Sequence, residues 1–231
     1  MTGPALHVRW FGQSAFALTG AASVFIDPFG DMKAARARGY DWRYPPISGV
    51  AADLLLVTHE HGDHNEVDAI ADVKRTVRSS AGTFDTPIGK VVGIASEHDS
   101  VAGTQRGANV IYVFEIRGVR VCHMGDFGQD RLRPEQIAAI GAVDLLFVPV
   151  GGMATIDGPA AAALTELLSP SWVVPMHYGT PAAPFLGPLD PFLSAVKGEV
   201  VTLDRSTFDT ADMRPEGGRI VVIPAPPPPT P

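Results

Sequence analysis

The sequence predicts an α/β protein in which helices cover a pair of packed β-sheets, and three observations carry that expectation. Short apolar runs bounded by glycine, proline or aspartate dominate the first half, and runs of that kind read as strands. In the second half the runs alternate with segments of helical spacing, which points to a sheet with helices laid on it. Several runs also end directly in histidine or aspartate, so polar side chains gather where strands give way to loops. The 231 residues contain no break in composition and no short-period repeat. One domain over residues 1–224 is expected, with a flexible proline-rich tail at 225–231.

Taken in order, residues 7–11, 15–18 and 23–26 read as three strands, the last ending at Asp27 and Pro28. Residues 30–50 are different in texture. They carry Lys33, Arg36, Arg38, Tyr40, Trp42, Arg43, Tyr44 and two prolines with little periodicity, apart from a short helix over 32–38. Long connections in compact domains are often binding loops or lids, so this one is expected on the substrate side or at a subunit contact. Residues 53–57 form a buried strand, 66–73 have helical spacing, and 76–79 and 91–95 are strands. A hairpin follows over 109–116 and 119–123, turned at Arg117 and Gly118. Helices are expected at 134–140, where proline occupies the first turn, and at 159–168 and 189–196. Strands are expected at 144–149, 172–176, 200–203 and 219–223.

Composition narrows the function. An apolar fraction of 45% and a charged fraction of 19% suit a globular protein with a sizeable core. A formal charge of −7 argues against a nucleic-acid partner, which would favour a basic patch. Residues 1–5 show no basic segment leading into an apolar one, so no secretory signal is expected. No apolar run approaches the ~20 residues of a membrane span. The single cysteine, Cys122, excludes an internal disulfide and fits a reducing, cytoplasmic compartment.

The chemistry concentrates in His59, Glu60, His61, Gly62, Asp63 and His64, directly after the buried run at 53–57. Imidazole nitrogen and carboxylate oxygen are the donors that zinc, iron and manganese sites use. A strand end followed by a tight, glycine-containing loop can converge them on one point. His98, Asp126 and His177 occupy comparable strand ends farther along the chain.

This HxHxDH pattern resembles the signature of the metallo-β-lactamase fold, a superfamily of mostly zinc-dependent hydrolases, and the resemblance covers roughly residues 5–224. It implies a four-layer αββα sandwich, two mixed sheets face to face with helices outside. It implies that His59, His61 and His98 hold one metal, that Asp63, His64 and His177 hold a second, and that Asp126 bridges them. Asp27 would brace the metal loop. Two zinc ions are expected, with manganese or iron as alternatives, and a bridging hydroxide oriented by Asp63 or Asp126 would attack an ester, lactone, amide or phosphodiester in a small molecule. Residues 103–109 and 149–152 resemble a subgroup that includes ascorbate phosphate lactonase-like proteins. Many relatives in it have histidine where this chain has Gln13. Around the ligands, Arg106, Asn109 and His123 are further candidates: the first two for a substrate anion or for closing their own turn, the third as a proton donor or a structural histidine. A homo-oligomer remains open.

Two other classes share this pattern. Iron-dependent oxidoreductases similar to persulfide dioxygenases use the same fold with one iron, and iron content with oxygen consumption distinguishes them. A non-catalytic member would use the cleft for binding alone, a role that missing ligands would favour, and here none is missing.

Overall fold

The computed structural model describes residues 6–215 and 218–230. Residues 1–5, where the absence of a signal was expected, and Pro231 of the tail lie outside them. The first half forms β1 (His7–Gly12), β2 (Ala15–Thr19), β3 (Ser23–Ile26), α1 (Lys33–Ala37), β4 (Val50–Ala51) and β5 (Leu54–Val57). Then come β6 (Ile70–Ala71), β7 (Arg75–Arg78), β8 (Gly82–Thr86), β9 (Gly89–Glu97) and β10 (Ala108–Ile116). The second half adds β11 (Val119–His123), α2 (Pro134–Ile140), β12 (Leu145–Pro149), α3 (Gly158–Leu168) and β13 (Trp172–Met176). Last are α4 (Asp190–Ala195), β14 (Glu199–Thr202), β15 (Thr207–Asp209) and β16 (Ile220–Ile223).

Two mixed sheets result, ordered β15-β1-β2-β3-β5-β7 and β14-β16-β13-β12-β11-β10-β9-β8. Their facing sides bury Trp10, Phe16 and Leu56 against Tyr112, Phe114 and Phe147. The rings of Phe16 and Phe147 lie 4.3 Å apart across the interface. Each such side chain contributes roughly 1.5–3 kcal/mol on burial, so this interface dominates stability. Cys122 is buried on the opposite face of β11, turned away from the first sheet.

α2 packs on β9, and α3 packs on β12 beside α4. Proline stands in the first turn of both longer helices, as expected for α2, and side chains cap their starts. Gln136 accepts from the Arg133 amide at 2.8 Å ahead of Pro134, and Asp157 accepts from the Ala160 amide at 2.9 Å. The first sheet is covered differently. Its outer side meets the short α1, the loop after β13 and an aromatic connection, with Phe29, Trp42, Tyr44 and Ile47 over Phe11, Phe25 and Leu55. The sandwich therefore stands, with one helical layer reduced to a loop.

The helix expected over 66–73 does not form. Val67–Ala69 is a single 3-10 turn, and β6 then pairs with β4 through Val50 and Ile70. So few residues nucleate a helix poorly, and strand pairing takes their backbone groups instead. The proline-rich segment is tied at two points: the Ala225 amide donates to the Arg205 carbonyl at 3.0 Å, and the Thr230 amide to the Arg43 carbonyl at 2.7 Å. Among the described residues, no helix is long and apolar enough to cross a membrane.

At one end the two sheets are stitched together. The Val110 amide donates to the Thr58 carbonyl at 3.0 Å, and the Tyr112 hydroxyl to the Val57 carbonyl at 3.1 Å. The chemistry emerges at this end.

Candidate metal centre

β3, β5 and β7 run parallel, as do β11, β12 and β13. Parallel strands deliver their following loops to one edge. Residues 59–64 follow β5 in the first sheet, whereas His98, Asp126 and His177 follow β9, β11 and β13 in the second. Two close backbone approaches let these loops converge. A Cβ on Gly128 would lie 2.5 Å from the His98 carbonyl, and one on Gly151 would lie 2.2 Å from the His177 carbonyl. Any larger residue there would displace a histidine.

Among the described residues the donor atoms form three groups of three, one of which, His59, His64 and Asp126, links the other two. In one of those two are His59, His61 and His98; in the other are Asp63, His64 and His177, with donors within 4.8 Å of one another in each. His59 Nε2 stands 3.1 Å from His61 Nδ1, so those two rings offer different nitrogens to one point. Asp126 Oδ2 lies between the groups, 3.1 Å from His98 Nε2, 3.1 Å from His177 Nε2 and 3.3 Å from His64 Nε2. One carboxylate oxygen thus faces both.

Surrounding hydrogen bonds fix these rings. Asp27 accepts from the Thr58 amide at 2.7 Å, from the Thr58 hydroxyl at 2.7 Å and from His64 Nδ1 at 3.0 Å. Since the Thr58 hydroxyl is donated to Asp27, its oxygen accepts from His59 Nδ1 at 3.0 Å. Asp27 therefore orients two histidines and leaves both Nε2 atoms facing the centre. Strain marks the same place, because Gln13, Asp27 and His177 all hold left-handed backbone, with φ of 51°, 52° and 53°.

Asn109 is buried, accepts from the Asp126 amide at 3.0 Å and donates to the Met124 carbonyl at 2.9 Å. It shapes the Asp126 turn and has no free group for a substrate anion. His123 likewise takes the structural of its two expected roles, and the proton-donor reading falls. Its Nε2 donates to the Ser14 carbonyl at 3.0 Å and its Nδ1 accepts from the Gly125 amide at 3.2 Å, so neither nitrogen is left to donate a proton. Arg106 does line the cleft, at its mouth. The Asp99 carboxylate shapes that loop by accepting backbone amides of Val101, Gly103, Gln105 and Arg106. Ser14 and Thr58 escaped the sequence reading, and Gln13 entered it only as standing where many relatives have histidine. The Ser14 hydroxyl donates to Asp126 Oδ1 at 3.3 Å, and Gln13 Nε2 donates to Asp63 Oδ2 at 3.2 Å. For Ser14 the only signal was position, in the turn between two strands.

Burial, followed by the neighbouring His64, pushes His59 down to about 2, so it is a neutral donor. Burial acts against charge on His64 too, but the carboxylates of Asp126, Asp63 and Asp27 together hold its imidazolium well above the ordinary range. Asp63 and Asp126 remain ionised: burial opposes this, and His64 and His177 outweigh it. Without metal, the His64 imidazolium therefore offsets carboxylates around it. A metal ion that takes His64 Nε2 must release its proton. Metal affinity is expected to rise with pH until His64 is deprotonated, and calorimetry in buffers of different ionisation enthalpy should register about one proton released per ion at that position. Equal heats in all buffers would refute the exchange.

The residues fit a divalent cation. His64 Nε2 is buried and has no hydrogen-bond partner, although carboxylate oxygens crowd it. The histidine and carboxylate donors are those of zinc and of other first-row metals. Beside them opens a cleft of about 810 Å³.

Two face-packed sheets that bring histidines and carboxylates to a shared edge define a metal-binding αββα sandwich. The sequence profile of the beta-lactamase superfamily domain matches residues 7–177. A UPF0173 metal-dependent hydrolase of Thermococcus onnurineus is 34% identical over 203 residues, covering 76% of this chain and 85% of that protein. Its counterpart in Thermococcus kodakarensis is 33% identical over 204 residues, with 76% and 85% covered. A Thermotoga maritima structure described as a Zn-dependent hydrolase of the metallo-beta-lactamase superfamily superposes with a TM-score of 0.72. It is 30% identical, and the match covers 95% of this chain and 98% of that one. The chain belongs to the metallo-β-lactamase superfamily, among its metal-dependent hydrolases.

Proposed function

We propose that this protein cleaves an ester, lactone, amide or phosphodiester bond in a small molecule, using two zinc ions held by His59, His61 and His98 and by Asp63, His64 and His177, with Asp126 shared. The observation that carries this reading is the position of Asp126 Oδ2 between two complete groups of three donors. When bound, such ions acidify water towards neutral pH and polarise the substrate oxygen that gains charge.

The chain supplies the rest. Asp63 or Asp126, both ionised, would orient the attacking water, and the free oxygen of Asp63 would accept its proton. Gln13 and Ser14 hold one oxygen of each, which fixes the direction of the free lone pairs. Asp27 and Thr58 keep His59 and His64 from turning. Neutral His59 and His61, their pKa values lowered chiefly by burial, present lone pairs without competition from protons.

The deciding experiment strips metal with chelator and restores zinc, manganese or iron while a panel of esters, lactones, amides and phosphodiesters is assayed. Turnover should vanish on stripping and return with one metal. Turnover indifferent to metal would sink the mechanism. Oxygen consumption by the iron form without any hydrolysis would move the protein to oxidative chemistry.

A further inference from the structure

The cleft beside the candidate centre has two unlike ends. One is polar, made by His61, Asp63, His98, Asp126 and His177. The other is a wall of Met32, Tyr40, Trp42 and Phe185 with Met153 from the loop after β12, and charged side chains such as Arg38 and Arg106 also reach the lining. Large apolar side chains are rarely left in water without a partner when they cluster at a concave surface. Five large hydrophobic residues are exposed among the described residues, and two of them, Tyr40 at 48% and Met153 at 75%, line this one cleft.

The wall is preformed. Tyr40 meets Phe185 edge-on at 5.1 Å, Trp42 lies 6.4 Å from Phe185, and Phe29 backs Trp42 at 5.0 Å. Two bonds lock the aromatic connection to the loop after His177: the Arg43 amide donates to the Ala182 carbonyl at 2.7 Å, and the hydroxyls of Tyr44 and Thr180 meet at 2.7 Å. A surface already ordered loses little entropy when a ligand covers it. Its volume of about 810 Å³ admits a molecule well beyond the reacting bond itself.

We infer that the substrate carries an apolar acyl or aryl group that lies against Tyr40, Trp42, Phe185 and Met153, with the scissile bond at the histidine end. This deepens the hydrolase reading, on which it rests for the bond but not for the wall. Compact charged substrates, such as a free sugar phosphate, would leave the aromatic end uncovered.

A homologous series separates the two ideas. Straight-chain hydroxamic acids, from acetohydroxamate to octanohydroxamate, anchor a metal-seeking head at the centre and extend a tail of increasing length. They are titrated by calorimetry into the metal-loaded protein. Affinity should rise about threefold to fourfold per methylene along the series. Tyr40→Ala and Met153→Ser alter exposed positions and so leave the core intact, and together with Phe185→Ala they should flatten that slope. Val200→Ser, at an exposed site on β14, should keep it. Head-group binding with a flat series would overturn the wall and leave the centre standing. No binding by any member would overturn both. A steep series with no turnover on any substrate panel would reject only hydrolysis.

Discussion

Asp126→Asn is expected to empty the centre and lower hydrolysis by more than about 100-fold. Changing a residue that merely orients a metal ligand typically costs about 10–100-fold in affinity or activity. Asp126 is placed to do more, because its Oδ2 faces His64, His98 and His177 at once, at 3.1–3.3 Å. Asparagine keeps the size and the backbone amide that Asn109 holds, so the loop survives while the shared anionic oxygen is lost. A fold-wide collapse is therefore not the expected outcome, although removing one partner of a buried charged network destabilises by about 3–5 kcal/mol. Metal-to-protein ratio, measured beside the turnover rate, decides the matter. A ratio equal to that of the unsubstituted protein, with turnover within twofold, would remove Asp126 from the centre.

Chelation should lower the melting temperature by about 8–16 °C for each site emptied. An ion that binds only the folded chain, at a free concentration ~1,000 times its dissociation constant, stabilises by about 4.1 kcal/mol. A chain of this length shifts by about 2–4 °C per kcal/mol. The architecture makes the effect direct, since residues 59–64 hang from the first sheet and His98, Asp126 and His177 from the second. An ion held by both spans the sandwich and opposes separation of its halves. Adding back the metal should restore the transition, with a midpoint that depends on metal concentration. Melting curves that overlay within about 2 °C with and without chelator would show that no ion bridges the sheets.

Much of the arrangement was legible in the chain, for identifiable reasons. The hairpin of β10 and β11, and β13, are apolar runs closed by a turn or a histidine, and α2 carries its proline in the first turn. Strand ends deliver the histidines, and their spacing survives in the local sequence. The strands at sheet edges were harder to see. β15 buries only Phe208, and β8 buries none of its residues fully, so both exist through pairing rather than through an apolar pattern. The aromatic residues between 29 and 47 have no helical or strand period because they pack ring against ring in a loop. Ser14, Thr58 and Gln13 gained their partners only when distant segments met, with sequence separations of 112, 31 and 50. Chemistry held within six adjacent residues can be read from a sequence; bracing assembled across sheets cannot.

Cys122 has a consequence of a different kind. It is the chain's one cysteine, fully buried on the face of β11 turned away from the first sheet, where burial pushes its thiol up to about 12. A thiol so protected barely ionises at neutral pH and resists alkylating reagents while the fold is intact. The native protein is in effect blank to maleimide chemistry. Met153→Cys, at a 75% exposed position on the rim, would therefore supply a unique attachment point. A fluorophore placed there would report in real time, by its change in emission, when a molecule enters or leaves.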